Sequence, residues 1–470
     1  MNTRKFLIPA LCGLALGLVA CGGDSPAAAE EPVSDPFGGG APASSASIIT
    51  SGTTILSSAT QLPAQTVPLS PTANQAATVA LYQSWLAGHY VTLDAESVYY
   101  GEIADQFGHV FKDPQYLPAA RIVWSTAQGG AYANQCKLDE STDPKMRWRG
   151  CTVSEGIGYG MLITAMQDDR PTFNTLWNYS RAFRAYHNQA LTPWITFSFT
   201  YNIVDNGSAT DADLDIATSL LIMYARTNEA AYLNDALSIA AGIWNKEVKD
   251  NMLLSGDTPM WDGTKGEIVY NLSYFSPVAL RLFAKYDVSH NWTAVLDQMY
   301  TYMATIQALG TGVFPDWSNA VTAVNPPNNA AGTAKSGFTY YTFNKESVRI
   351  PWRIAWDYYW FQDERALAVL QKLNTFISTK ANGDPTSSAL SVSYSWNLQL
   401  GADDTRNSAV PAQWLSAWCA TGIGTNADWL KKCTDAVNQK TVSNTASSYF
   451  PDILLMMYSQ LLNGLYIRPF

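Results

Sequence analysis

The chain has 470 residues, of which 47% are hydrophobic and 14% charged, enough apolar mass for a large core and a composition unlike that of a disordered chain. A formal net charge of −10 and a pI near 4.9 make nucleic acid and anionic membrane surfaces poor partners. The 16 Trp and 25 Tyr residues are many for this length; their flat faces and polar tips suit sugar stacking as well as helix-packed cores.

The N-terminus reads as a targeting segment. Arg4 and Lys5 precede an apolar stretch, Phe6 to Ala20, that is too short to span a membrane. Leu18-Val19-Ala20-Cys21 resembles a bacterial lipobox, which makes residues 1–20 a lipoprotein signal peptide and Cys21 the lipidation site. An ordinary secretory signal cut nearby is the alternative. Gly22 after the cysteine resembles lipoproteins sent to the outer membrane, so the expectation is an exported chain, lipid-anchored at the outer membrane or cell surface of a Gram-negative bacterium. Residues 21–75, rich in Ala, Ser, Pro and Thr, read as a disordered tether, and 76–470 as one catalytic-size domain.

Beyond Cys12 and Cys21 the chain holds Cys136, Cys151, Cys419 and Cys433, an even number in an exported protein. Pairing 136 with 151 and 419 with 433 closes loops of similar size, each adding about 3 kcal/mol in the loop-entropy view; all three connectivities stay open at this point. The histidines at 89, 109, 187 and 290 are scattered and no CxxC occurs, so no metal site and no cofactor is expected.

From residue 75 onward, helical runs recur between Pro-, Gly- and Asn-rich breaks: 75–88, 156–168, 171–186, 211–226, 229–246, 275–285, 292–308, 347–359, 363–379, 411–419, 426–438 and 448–464. The best period-two stretch, Ile195 to Val204, reads as an edge ribbon. Many helices joined by long loops suit an all-α toroid of helical hairpins better than a compact bundle.

Three stretches carry candidate chemistry. In Cys151-Thr152-Val153-Ser154-Glu155-Gly156-Ile157-Gly158-Tyr159-Gly160-Met161, Ser154 reads as an N-cap and Glu155 as an acid in the first helical turn. Each of the three glycines costs a helix about 1 kcal/mol, so their use is the close approach of another backbone or a ligand. The plainer reading is a glutamate complementing a helix dipole. In Thr210-Asp211-Ala212-Asp213-Leu214-Asp215, Asp211 and Asp215 share a helix face and Asp213 turns away. Thr210 with Asp213 also fits a capping box. In the third stretch, Glu346 and Arg349 are helix-face neighbours before Pro351, amid Trp352, Trp356, Tyr358, Tyr359 and Trp360. Separated acids among glycines and aromatics point to glycosidic-bond chemistry, which needs one carboxyl to protonate the leaving oxygen and one carboxylate to activate water or attack carbon.

Together these stretches resemble glycoside hydrolase family 8, the inverting endo-acting β-1,4-glycanases. The resemblance is carried by Thr152 to Met161, by Ala209 to Ala217, by Asn271-Leu272-Ser273-Tyr274-Phe275-Ser276-Pro277, by Phe314-Pro315-Asp316-Trp317, and by Arg349-Ile350-Pro351-Trp352-Arg353-Ile354 with Asp357-Tyr358. It implies an (α/α)6 barrel with a cleft across one end. It also implies Glu155 as general acid, Asp211 as the acid holding the sugar, Tyr274 orienting water and Arg349 bracing the base. Where the family carries Tyr-Asp-Ala, this chain has Lys345-Glu346-Ser347; Glu346 is the expected base, with Asp316 and Glu267 as alternatives. Trp194, Trp261, Trp317 and Tyr159 are candidate sugar contacts, beside Trp124 and Trp148, with core packing the alternative for the tryptophans. The expected substrate is a plant-type β-glucan, cellulose-like or mixed-linkage. The alternatives are xylan or reducing-end cleavage of xylo-oligosaccharides, then chitosan. A silent glycan-binding lipoprotein is the non-enzymatic alternative. The expected partners are thus a polysaccharide or oligosaccharide, and the membrane only through the lipid, for a chain that acts as a monomer.

Overall fold

In the computed structural model the described residues are 67–93, 111–124, 136, 150–258, 261–262, 267–318, 342–398, 403, 410–445 and 448–470. They belong to the larger of two units, Gln61–Phe470; the signal peptide, Cys21 and most of the tether lie outside them. Twelve α-helices are described: α1 (Gln75–His89), α2 (Ser154–Met166), α3 (Arg170–Tyr186), α4 (Thr210–Thr227), α5 (Ala230–Lys246), α6 (Pro277–Tyr286), α7 (Trp292–Leu309), α8 (Ile350–Phe361), α9 (Glu364–Lys380), α10 (Ala412–Ala420), α11 (Ala427–Val437) and α12 (Tyr449–Leu462).

Local chemistry sets their ends. Asn74, Asp169, Asn291, Asp363 and Asn426 each accept a backbone N–H in the first turn of the helix they precede. Prolines open α3, α6 and α8, where a missing N–H costs nothing. Asn228 and Gln362 close α4 and α8 in the left-handed conformation.

Two kinds of helix alternate along the chain. Of the residues of α2, all but Glu155 are buried, and α12 is buried from Asp452 to Leu462. A helix apolar on every side must be surrounded. The outer helices α3, α9 and α11 bury one face each. The even-numbered helices pack in sequence, α2 on α4, α4 on α6, α6 on α8, α8 on α10 and α10 on α12, and α12 returns to α2. Each also packs against the odd-numbered helix after it, and α12 against α1. This closed inner ring with an outer ring is the (α/α)6 barrel expected from the sequence.

Details differ from the sequence reading. Ser154 lies inside α2, and Val153 is the N-cap without a side-chain bond. Thr210 likewise lies inside α4; no capping box forms, because Asp213 accepts the Thr192 N–H at 2.9 Å. The stretch Ile195 to Val204 is a hairpin rather than one edge ribbon: Asn202–Asp205 is an edge strand, but Ile195–Phe197 is not. It is the central strand of a three-stranded sheet, between Cys151–Val153 and Asn202–Asp205. Cys136 is bonded to Cys151, and Cys419 to Cys433.

Candidate active site

The N-terminal ends of the inner helices carry the candidate acids. Glu155 and Asp211 sit in the first turns of α2 and α4, and Tyr449 and Phe450 open α12. Tyr274 ends a short 3-10 turn just before α6, and Glu346 precedes a similar turn, Ser347–Arg349, that runs into α8. The partial positive charge at a helix start favours carboxylates there. These residues surround a cavity of about 470 Å³, whose wall also includes Trp124, Val153, Trp194, Ala209, Lys345 and Arg349.

Arg349 is the hub. Its Nη1 donates to Glu155 Oε2 at 2.5 Å and to Asp211 Oδ2 at 3.0 Å. Its Nη2 donates to Glu346 Oε2, and its Nε to the Glu346 carbonyl at 3.3 Å. The guanidinium is almost fully buried and lies 5.2 Å from the centre of the Tyr274 ring. Asn271 Nδ2 donates a second bond to Glu346 Oε2 at 2.9 Å, and the Tyr449 hydroxyl donates to Glu155 Oε1 at 2.9 Å.

Arg349 alone bonds all three carboxyls, in a site largely withdrawn from water. Burial raises the Glu155 pKa above the ordinary carboxyl range, with Arg349 and the Tyr449 hydrogen bond pulling the other way. Burial also pushes Asp211 up, again against the pull of Arg349. Glu155 is thereby suited to hold a proton and release it. Glu346 meets only donors, the setting of a proton acceptor.

A second acid–arginine layer lies beneath. Arg353 Nη1 and Nη2 donate to the two oxygens of Asp215 at 2.5 and 2.9 Å, and its Nε donates to the Ser273 carbonyl at 3.0 Å, fixing the turn that carries Tyr274. Asp211 and Asp215, four apart on α4, thus meet Arg349 and Arg353, four apart at the start of α8. The sequence showed the acid pair but not its matching arginine pair.

Among the alternative bases, Asp316 is buried and does not line the cavity. Its Oδ1 accepts the Asn344 N–H at 2.8 Å, the Ser347 N–H at 3.0 Å and the Ser347 hydroxyl at 2.9 Å, stapling down the loop that bears Glu346. Burial, helped by the nearby Glu346 charge, pushes it up to about 6. The side chains of Glu267 and Trp261, and all of Trp148, fall outside the described residues.

Two expected sugar contacts are corrected. Tyr159 is fully buried beneath the cavity, its hydroxyl 3.5 Å from Arg349 Nη1 and its ring edge-on to Trp352. Trp317 is nearly buried, packs with Val269 and meets Tyr274 at 6.4 Å, and is not among the residues that line the cavity. Trp194, 37% exposed, and Trp124 are on the wall. The sequence reading missed Tyr449 and Phe450, whose only signal is an aromatic pair opening an otherwise largely aliphatic helix. It also missed the role of Asn271, although the residue opens a segment already singled out.

A closed double ring of helices thus holds an arginine-linked acid triad in its end cavity. Residues 143–457 match the family described as "Glycosyl hydrolases family 8", and the chain belongs to that family. It is 29% identical over 261 residues to endoglucanase A of Acetivibrio thermocellus, covering 54% of this chain and 50% of the relative. It is 30% identical over 315 residues to endoglucanase 2 of Ruminiclostridium josui, covering 65% and 62%. The beta-glucanase of Niallia circulans is 28% identical over 333 residues, covering 68% and 78%. The chain therefore spans between half and two thirds of the first two relatives. Among solved structures, the β-1,3-1,4-glucanase of Paenibacillus sp. X4 superposes with a TM-score of 0.64 at 22% identity, covering 85% of this chain and 95% of that one. A cold-adapted family 8 xylanase gives 0.58 at 16%, covering 82% and 96%. These likenesses establish the shared fold.

Proposed function

We propose that the protein is an endo-acting glycoside hydrolase that cleaves internal β-1,4 bonds of a β-glucan with inversion. The observation that carries this reading is the convergence of Glu155, Asp211 and Glu346 on Arg349 in one cavity. Glu155 gives its proton to the glycosidic oxygen as the bond to the anomeric carbon breaks. Glu346 takes a proton from a water that attacks that carbon from the opposite face. Asp211 holds the sugar at the scissile position, and Tyr274 orients the water. The product is a hemiacetal of inverted configuration, and solvent restores both carboxyls.

A cellulose-like or mixed-linkage β-glucan is the preferred substrate, ahead of xylan and then chitosan; relatives named endoglucanase and beta-glucanase support that order. The test is product release from carboxymethylcellulose, mixed-linkage β-glucan, xylan and chitosan. Glu346→Gln should lower turnover by about 10²–10⁴-fold, the scale of a lost general base. Full turnover in that variant would remove Glu346 from its role. Silence of the unaltered protein on all four would refute the hydrolase reading.

The lipobox-like Leu18 to Cys21 supports a lipid anchor at the outer membrane or cell surface. Palmitate labelling should be lost in Cys21→Ala; labelling that persists would refute the anchor.

A further inference from the structure

A second groove lies at the opposite end of the sheet that flanks the catalytic cavity. The hairpin Ile195–Phe197 and Asn202–Asp205 begins beside Trp194 on the cavity wall and turns at residues 198–201. At ~3.3 Å per residue the turn lies about 13 Å from that wall. There the Tyr186 and Tyr201 rings stack at 4.3 Å, nearly parallel at 13°. Tyr201 rests in turn on buried Phe111 at 4.4 Å. Three rings thus run from core to surface, and Tyr186 ends the stack 50% exposed.

This stack is held at a cost. Tyr201 has φ +59°, and Ser198 in the same turn has φ +50°. For a bulky residue, left-handed backbone is strained and persists only where the surroundings enforce it. His187 helps enforce it, its Nε2 lying 2.9 Å from the Tyr201 carbonyl.

Tyr116, Tyr186 and Tyr201 line a cavity of about 430 Å³. It shares Tyr116 and Ala185 with a polar cavity of about 450 Å³ lined by Asn188 and Gln189 and also by Arg181 and the Arg184–Asp235 ion pair. The exposed Tyr186 ring, beside amides and charged side chains that include Lys112 and Asp113, offers a stacking surface and hydrogen-bonding groups of the kind sugar rings and their hydroxyls require. Continuity with the catalytic wall through one hairpin favours the same kind of occupant in both places.

We propose that this groove is a second glycan-binding site that takes a stretch of β-linked polysaccharide across Tyr186. The proposal rests on the reading of the substrate as a β-glycan. It is tested in the full chain carrying Glu155→Gln, by retardation in native gels containing mixed-linkage β-glucan or xylan. Tyr186→Ala should weaken retardation by about fivefold to tenfold, the scale of one stacked ring, while Tyr186→Phe should preserve it. With Glu155 restored, Tyr186→Ala should slow hydrolysis of the long polymer more than that of a soluble hexasaccharide. Retardation by glycan without any turnover in the unaltered protein would fault the hydrolase reading and leave this site standing. Equal retardation of the Tyr186→Ala and unaltered chains, equal losses on polymer and hexasaccharide, or no retardation on any glycan would each overturn it.

Discussion

The Tyr449 hydroxyl donates to Glu155 Oε1 across the seam where α12 meets α2. That bond stabilises the charged form of Glu155 and lowers its pKa, against a burial that raises it. Tyr449→Phe removes the bond and leaves the burial, so the Glu155 pKa should rise. In the proposed mechanism Glu155 acts while protonated, so the alkaline limb of the kcat/KM profile should move to higher pH. A limb that stays put or moves down would show that Tyr449 does not tune this carboxyl.

Asp316 and Glu346 separate by different readouts. Asp316→Ala leaves two backbone N–H groups and the Ser347 hydroxyl without their acceptor. It should lower stability by about 1–3 kcal/mol or more, seen as an earlier urea midpoint. Glu346→Gln, on the cavity wall, should leave the midpoint nearly unchanged while turnover collapses. The reverse pattern would move the proton acceptor to Asp316.

Gly158 tests the close contact between α2 and α4. A Cβ there would meet the Ala212 carbonyl oxygen at 3.0 Å and Asp215 Cβ at 3.1 Å. Gly158→Ala gains about 1 kcal/mol of helix propensity, but overpacking costs about 1–3 kcal/mol, and the backbone of a buried helix does not yield as a side-chain tip does. A net loss of ~1 kcal/mol follows from those two effects, with reduced turnover because α2 and α4 hold Glu155 and Asp211. A variant of higher stability and full activity would show that the helices can part freely.

Stability should fall as pH rises above the ordinary carboxyl range. Burial pushes Asp213 from 3.8 to about 7 and Asp316 from 3.8 to about 6. Between those limits the native state keeps protons that the unfolded chain has lost, so deprotonation favours unfolding. Asp235 and Asp452 have lowered pKa values, and their contribution is lost only as pH falls below the usual carboxylate range. Urea midpoints should therefore be higher near pH 5 than near pH 8. A flat profile would mean that neither buried acid holds its proton.

The ring of helices was legible because each helix carries its own periodicity and its own breaks. Glu155, Asp211 and Glu346 were legible because acids beside glycine, threonine and arginine stand out in an apolar chain. Their mutual arrangement was less so. Ser154 and Thr210 look like caps, yet each helix begins one residue earlier, where the entering chain is still extended at Val153 and Ala209. Tyr159 sits one turn beyond Glu155 and reads as a neighbour in the cleft, but the packing of α2 places it underneath Arg349. Tyr449 contacts Glu155 across 294 positions, and no local pattern encodes such a pairing.

The closure of the inner ring by its last member also orders events in time. Contacts this far apart in sequence form late and slowly, because a long loop must close before they stabilise anything. A growing or partly folded chain can complete α2 and α4 well before α12 arrives with Tyr449. In the proposed mechanism Glu155 gains its final surroundings only when the circle closes, and clipping within the last helix would change the setting of an acid 294 positions away from Tyr449 without touching it.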